Sequence, residues 1–191
     1  LLAAYFYSVY ELADFPATDQ VMISSAIDLR RHMDSVADKG FTNHTAWMQC
    51  AIPERGRDIF ETVKYVVRSS NRFKKDKFMG LYGLPLLNFG YSILPHAASE
   101  EIIKIGYSNP YMAMSNIGIL SGTQLALCGN EPTDAFMSGA VKYKPFVLLT
   151  ATTYKNVITL SMCVRGNDKD KAIVNNFFVL MEKNIKTLIG E

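Results

Sequence analysis

The sequence is poor in the residues that build most recognisable catalytic and metal centres. Its three histidines, His32, His44 and His96, and its three cysteines, Cys50, Cys128 and Cys163, are scattered over 191 residues. No Cys-x-x-Cys or His-x-x-x-His spacing occurs, so no metal centre is expected. An odd and widely spaced cysteine set argues against a disulfide framework and for a reducing compartment, and we expect the cytoplasm. Gly-x-x-x-x-Gly-Lys, Gly-x-Gly-x-x-Gly and Gly-x-Ser-x-Gly are all missing, which leaves nucleotide-phosphate cradles and the serine-hydrolase elbow without support. Neither sign of charge is in excess: 20 basic against 18 acidic residues give +2, too little to imply nucleic acid or a membrane surface. No run reaches the ~20 apolar residues of a spanning helix, and no basic, apolar, small-residue leader pattern is present.

What is there reads as a globular chain. At 49% hydrophobic and 20% charged, it has the composition of a folded domain. A chain of this size buries about 70% of the surface its unfolded form exposes, so it needs no staples. Residues 1–12 read as a helix that stops before Asp14 and Pro16. The chain thus opens inside an element, as a fragment of something longer would. Residues 21–29 and 42–52 read as strands, with a polar loop at 33–39 between them. Over 55–75 the apolar positions Ile59, Phe60, Val63, Val66 and Val67 recur at helical spacing. The other side carries Arg57, Lys64, Arg68, Arg72, Lys74, Lys75 and Lys77. That basic side is either a solvated surface or a docking face for an acidic partner, with Arg68, Arg72, Lys74 and Lys75 as its centre.

Residues 78–99 hold no Asp, Glu, Lys or Arg, but Gly80, Gly83, Pro85, Gly90 and Pro95 interrupt them. The expectation is a broken helical hairpin tucked against the core, with a short helix over 99–105. Strands are expected at 111–119, 135–144, 146–153 and 157–165, with Lys155-Asn156 in the tight turn joining the last two. Asn167-Asp168 begins a final helix whose stripe is Ile173, Phe177, Leu180, Met181, Ile185 and Leu188, and Gly190 ends it. The pattern predicts one α/β two-layer sandwich over 1–191, a mixed and largely antiparallel sheet covered by helices.

Spacing alone places no catalyst. Asp28 and Arg30 close one strand beside the small residues Ser24 and Ala26. The pair is either a surface ion pair or an anchor for a site at the rim of the sheet.

The order of certain stretches resembles the C-terminal half of the chloramphenicol-acetyltransferase-like superfamily, which includes condensation domains, polyketide-associated acyltransferases and alcohol acetyltransferases. The stretches are Leu1-Leu2-Ala3-Ala4 leading to Ile23-Ser24-Ser25-Ala26-Ile27-Asp28-Leu29-Arg30, then Gly40-Phe41-Thr42-Asn43, then Ser115-Asn116-Ile117-Gly118, then 146–165 with the last helix. The resemblance implies a half-domain whose partner half carries a His-His-x-x-x-Asp-Gly motif, the second histidine acting as general base. No His-His pair occurs here, so the chain by itself should be inactive and holds no catalytic residue. The resemblance also implies that Arg30, with Asp28, supports the catalytic loop by pairing with the motif's aspartate. Ser24, Ala26, Asn43 and Asn116 would line the substrate tunnel, and the alternative for both asparagines is hydrogen bonding to strand-end backbone. The Asp-Phe-Gly-Trp-Gly of the plant branch is absent, and Phe136-Met137-Ser138-Gly139 stands in the comparable stretch. The co-substrate implied is an acyl-CoA or a phosphopantetheine thioester, bound without a covalent cofactor, and the acceptor is an alcohol or amine. The partners implied are the chain's own N-terminal half, a carrier protein or a second copy of the fragment. The rival reading is a non-catalytic module on the same fold that docks a carrier protein.

Overall fold

The helix α1, Leu2–Ala13, is buried along Ala3, Ala4, Tyr5, Phe6, Ser8, Val9 and Tyr10, more of its circumference than one amphipathic stripe accounts for. It lies between two other helices, α2 (Ile59–Lys74) and α6 (Asp168–Ile189). The computed structural model describes residues 1–13, 16–33, 43–81, 83–106 and 110–190. Between the helices named come β1 (Val21–Asp28), a 3₁₀ turn (Leu29–His32), β2 (Thr45–Ile52), α3 (Leu84–Ile93), α4 (His96–Gly106) and β3 (Met112–Ile119). There follow α5 (Gly122–Leu125), β4 (Lys142–Tyr143), β5 (Val147–Tyr154), β6 (Val157–Met162) and β7 (Val164–Arg165).

Five strands form one mixed sheet in the order β2-β1-β3-β5-β6. The outer pairings, β1 with β2 and β5 with β6, are antiparallel, and the inner ones are parallel. Registers such as Ile23↔Cys50 and Met114↔Leu149 put these side chains on one face. There they pack with Phe6, Val66, Phe177 and Met181 of the three helices into a single core. The α/β sandwich on a mixed sheet is therefore the observed architecture.

Local chemistry explains most element ends. Asp58 caps α2, its carboxylate accepting from Glu61 N at 2.8 Å, so that helix opens at Ile59 and not at 55. Asn167 and Asp170 form a reciprocal capping box at α6, and Gly190 closes it with φ 82°. Lys155 and Asn156 both have positive φ, 46° and 64°, as a type I′ turn between β5 and β6 requires.

Several expectations are corrected. The strand expected at 135–144 is irregular chain except for Lys142–Tyr143, which pairs with β7. Its backbone is bonded by side chains of the sheet face turned away from the helices. Met137 N donates to Thr152 Oγ1 (3.1 Å), and Met137 O accepts from Thr150 Oγ1 (2.9 Å) and Ser161 Oγ (2.9 Å). Residues 132–139 thus form a strap across β5 and β6, anchored at one end by Tyr154 Oη donating to Pro132 O at 2.7 Å. Phe60, Val67 and Ile173, expected in the core, are about half exposed. The hairpin α3–α4 exists but is not tucked in, because Phe78, Phe89 and Ile93 are each more than 60% exposed. The Gly40-Phe41-Thr42 part of the second motif and the 33–39 loop beyond Met33 lie outside the described residues.

Tyr5 gives the first prediction. Its ring is buried edge-on to Phe177, centroids 5.3 Å apart, yet its hydroxyl has no hydrogen-bond partner. Burial pushes its phenol well above the usual range. Tyr5→Phe keeps the ring contact and removes an orphaned polar atom. We expect the unfolding free energy from urea titration to hold or rise, by about 1–2 kcal/mol at most, because leaving a buried group unbonded costs about that much. A loss above 1 kcal/mol would mean that the hydroxyl has a partner in solution.

Candidate functional site

The sheet order places one topological break where ligands collect in open α/β sheets. From β1 the chain runs outward to β2, and from β3 it runs the other way to β5, so the neighbouring parallel strands β1 and β3 lead to opposite sides. A crevice forms beyond the carboxyl ends of such a pair. Here the parallel ladder covers only Ser24↔Ala113 and Ser25↔Met114, and beyond it the two strands border a recess of about 390 Å³. Its walls include Ala26, Asp28, Arg30, Asn43, His44 and Asn116. Three stretches that are distant in sequence therefore meet at one open rim.

Asp28 and Arg30 bind each other there. The guanidinium grips the carboxylate through Nε (2.9 and 2.8 Å) and Nη2 (2.7 Å), and the Arg30 N–H adds a bond at 2.9 Å. The Arg30 side-chain bond, helped by its backbone N–H, holds the Asp28 carboxyl below the usual carboxylate range, and the same contact raises Arg30. Both side chains remain 53% exposed, so solvent screens the pair. Arg30 is accordingly compensated within this chain.

The asparagines serve the backbone first. Asn43 Oδ1 accepts from Thr45 N, and Asn116 Oδ1 accepts from Gly118 N, each at 3.0 Å. The second bond holds a bulge at which the β3–β5 register slips between Asn116 and Gly118, with Gly118 at φ 82°. Ser24 does not join the recess. It is 1% exposed, closed over in the sheet face, while Ala26 lines the rim.

His44 is the residue that the pattern of spacings passed over. It lines the recess between Asn43 and Thr45, and its Nε2 is buried with no hydrogen-bond partner. A lone histidine carries no sequence signal; only the pairing of β1 with β2, Asp28↔Thr45, brings it near Asp28. Of the others, His32 Nε2 bonds Met79 O at 3.2 Å and His96 meets the Tyr91 ring, both elsewhere. Among the described residues no cluster could hold a metal ion.

A second cavity, of about 810 Å³, opens on the helix side of the same strand ends and shares Ala26, Ile27, Asp28 and Asn116 with the recess. Its walls are mostly apolar, among them Met48, Val66, Met79 and Met114, with Lys74 at its border. Arg68, Arg72 and Lys75 stand exposed on or just past α2, away from the recess.

No family model matches the chain, and no curated protein matches it by sequence. Solved structures do. The chain superposes on the trichothecene 15-O-acetyltransferase of Fusarium sporotrichioides with a TM-score of 0.60 at 12% identity, over 94% of this chain and 39% of that one. On the PapA2 acyl transferase the values are 0.57 and 12%, over 97% and 37%. On the starter condensation domain of rhizomide synthetase they are 0.53 and 10%, over 96% and 42%. The chain spans about two fifths of the length of these structures. It has the fold that they share.

Proposed function

We propose that this chain is the C-terminal wall of a two-half acyltransferase, which moves an acyl group from a thioester to an alcohol or amine. The observation that carries the reading is the recess at the β1/β3 switch point, with Asp28 and Arg30 on its rim, in a chain with the fold of acyltransferases and condensation domains. The general base comes from the opposite half, and this half supplies position and shape. Ala26 leaves room at the rim, and Asn43 and Asn116 keep their amide N–H groups for a substrate carbonyl while their oxygens hold the strand ends.

The recess suits the amide-rich pantetheine arm that coenzyme A and carrier proteins share. Among the described residues it offers no spare cation for the nucleotide phosphates, since Arg30 is engaged by Asp28. The acyl chain itself has apolar space on the helix side of the same strand ends. We place the reaction in the cytoplasm, on the ground that Cys50, Cys128 and Cys163 are all free thiols.

The test is thiol release by the intact protein, given acyl-CoA donors of several chain lengths and a carrier-bound thioester, with a panel of alcohols and amines. We expect release that depends on the acceptor. No release from any pair would overturn the reading.

A further inference from the structure

The cavity on the helix side of the sheet has its origin in the sequence. The registers Met48↔Ser25 and Ser25↔Met114 set three side chains in one row across β2, β1 and β3, on the face that packs against the helices. A serine stands in that row between two methionines, where an aliphatic side chain would fill the layer. On α2 the wall includes Val66 and Ser70, whose hydroxyl donates to Val66 O at 2.7 Å. Short side chains on strand and helix thus leave a void of about 810 Å³ between the layers. Met48, Val66, Met79 and Met114 on its wall are each at most 7% exposed. The void is therefore bounded by the chain's own core, whatever packs against its outer surface.

Its chemistry is one-sided. The ionisable side chains on the wall, Asp28 and Lys74, are both exposed, and among the described residues no other lines it. Native interiors keep few voids larger than a water molecule, so an apolar space of this size belongs with ligand pockets and not with packing faults. Methionine, unbranched and polarisable, adapts to a guest that itself bends. Access runs between the strands. The β1–β3 ladder ends at Ser25↔Met114, and beyond it Ala26, Ile27, Asp28 and Asn116 border both this cavity and the recess. We propose, resting on the acyl-transfer reading, that this cavity holds the acyl chain of the donor and selects medium and long unbranched aliphatic chains over acetyl. Ser25 keeps the space open, and Met79 bounds it.

The experiment uses the intact protein and two readouts. The first is kcat/KM for thiol release from acetyl, butanoyl, octanoyl and dodecanoyl thioesters with one acceptor. The second is calorimetric binding of two stable thioethers, S-ethyl and S-octyl pantetheine. Each buried methylene is worth about fourfold, so octanoyl should exceed acetyl by at least about a hundredfold, and S-octyl should bind more tightly than S-ethyl to a similar degree. Ser25→Leu, which fills the gap in the row, should cut the octanoyl-to-acetyl ratio by at least about tenfold. Met79→Ala should move the preference toward dodecanoyl, and it decides the matter if thermal melts show Ser25→Leu to be unfolded. Equal rates for acetyl and octanoyl, or a preference that both variants leave intact, would overturn the proposal while acyl transfer stands. No release from any donor, with S-octyl still favoured and Ser25→Leu abolishing that advantage, would overturn the catalytic reading and keep the pocket. No release and no difference between the thioethers would remove both.

Discussion

Truncating Phe6 to alanine is expected to lower the stability of this chain by about 3–5 kcal/mol, the usual cost of removing a fully buried phenylalanine ring. Phe6 has no exposed surface and sits in the cluster that joins α1 to the sheet and to α6. For a chain of this length the loss corresponds to a melting temperature lower by about 10 °C. A differential scanning calorimetry trace measures it directly. A shift under about 3 °C would mean that the α1 layer can collapse into the void, and that the core is less tightly set than its burial indicates.

Arg30→Ala should do the reverse, sparing the fold and impairing the chemistry. The side chain is half exposed and its partner is the nearby Asp28, so the melting temperature should barely move. In the intact protein we expect kcat for acyl transfer to fall about a hundredfold, the scale of loss when a catalytic loop shifts by about an ångström. On the proposed acyl-transfer reading, KM for the thioester should hold, because there Arg30 would position the base and not the donor. Arg30→Lys should recover little, since an ammonium cannot reproduce the two-pronged contact. A stopped-flow measurement of thiol release separates kcat from KM. Equal loss in both, or no loss at all, would remove Arg30 from the positioning role.

The layers of the fold were legible because hydrophobic period and caps agree along much of the chain. Val21 and Ile23 alternate as a half-buried strand should, and Asn167 with Asp170 marks the start of α6 beyond doubt. The failures have a common physical origin, in that each turns on a contact made or missing at long range. The 135–144 stretch alternates like a strand, but hydroxyls of Thr150, Thr152 and Ser161 take the bonds that a ladder would have made. The uncharged 78–99 run implies burial, yet no described element covers its outer side. Of the candidate site, Asp28, Arg30, Ala26, Asn43 and Asn116 do converge, while Ser24 does not. His44 was invisible because its place follows from strand pairing, which no local spacing records.

The strap at 132–139 is moored to the sheet, not woven into it. Met137 is held by three side-chain hydroxyls, and Pro132 by Tyr154 and Lys155, so it can lift without unzipping any ladder. A segment fastened in this way tolerates insertions and deletions that a true strand would not, because adding a residue lengthens a loop and leaves every register in place. Kindred chains can therefore vary this excursion freely and reshape what lies over that face of the sheet, while β5 and β6 beneath it stay as they are.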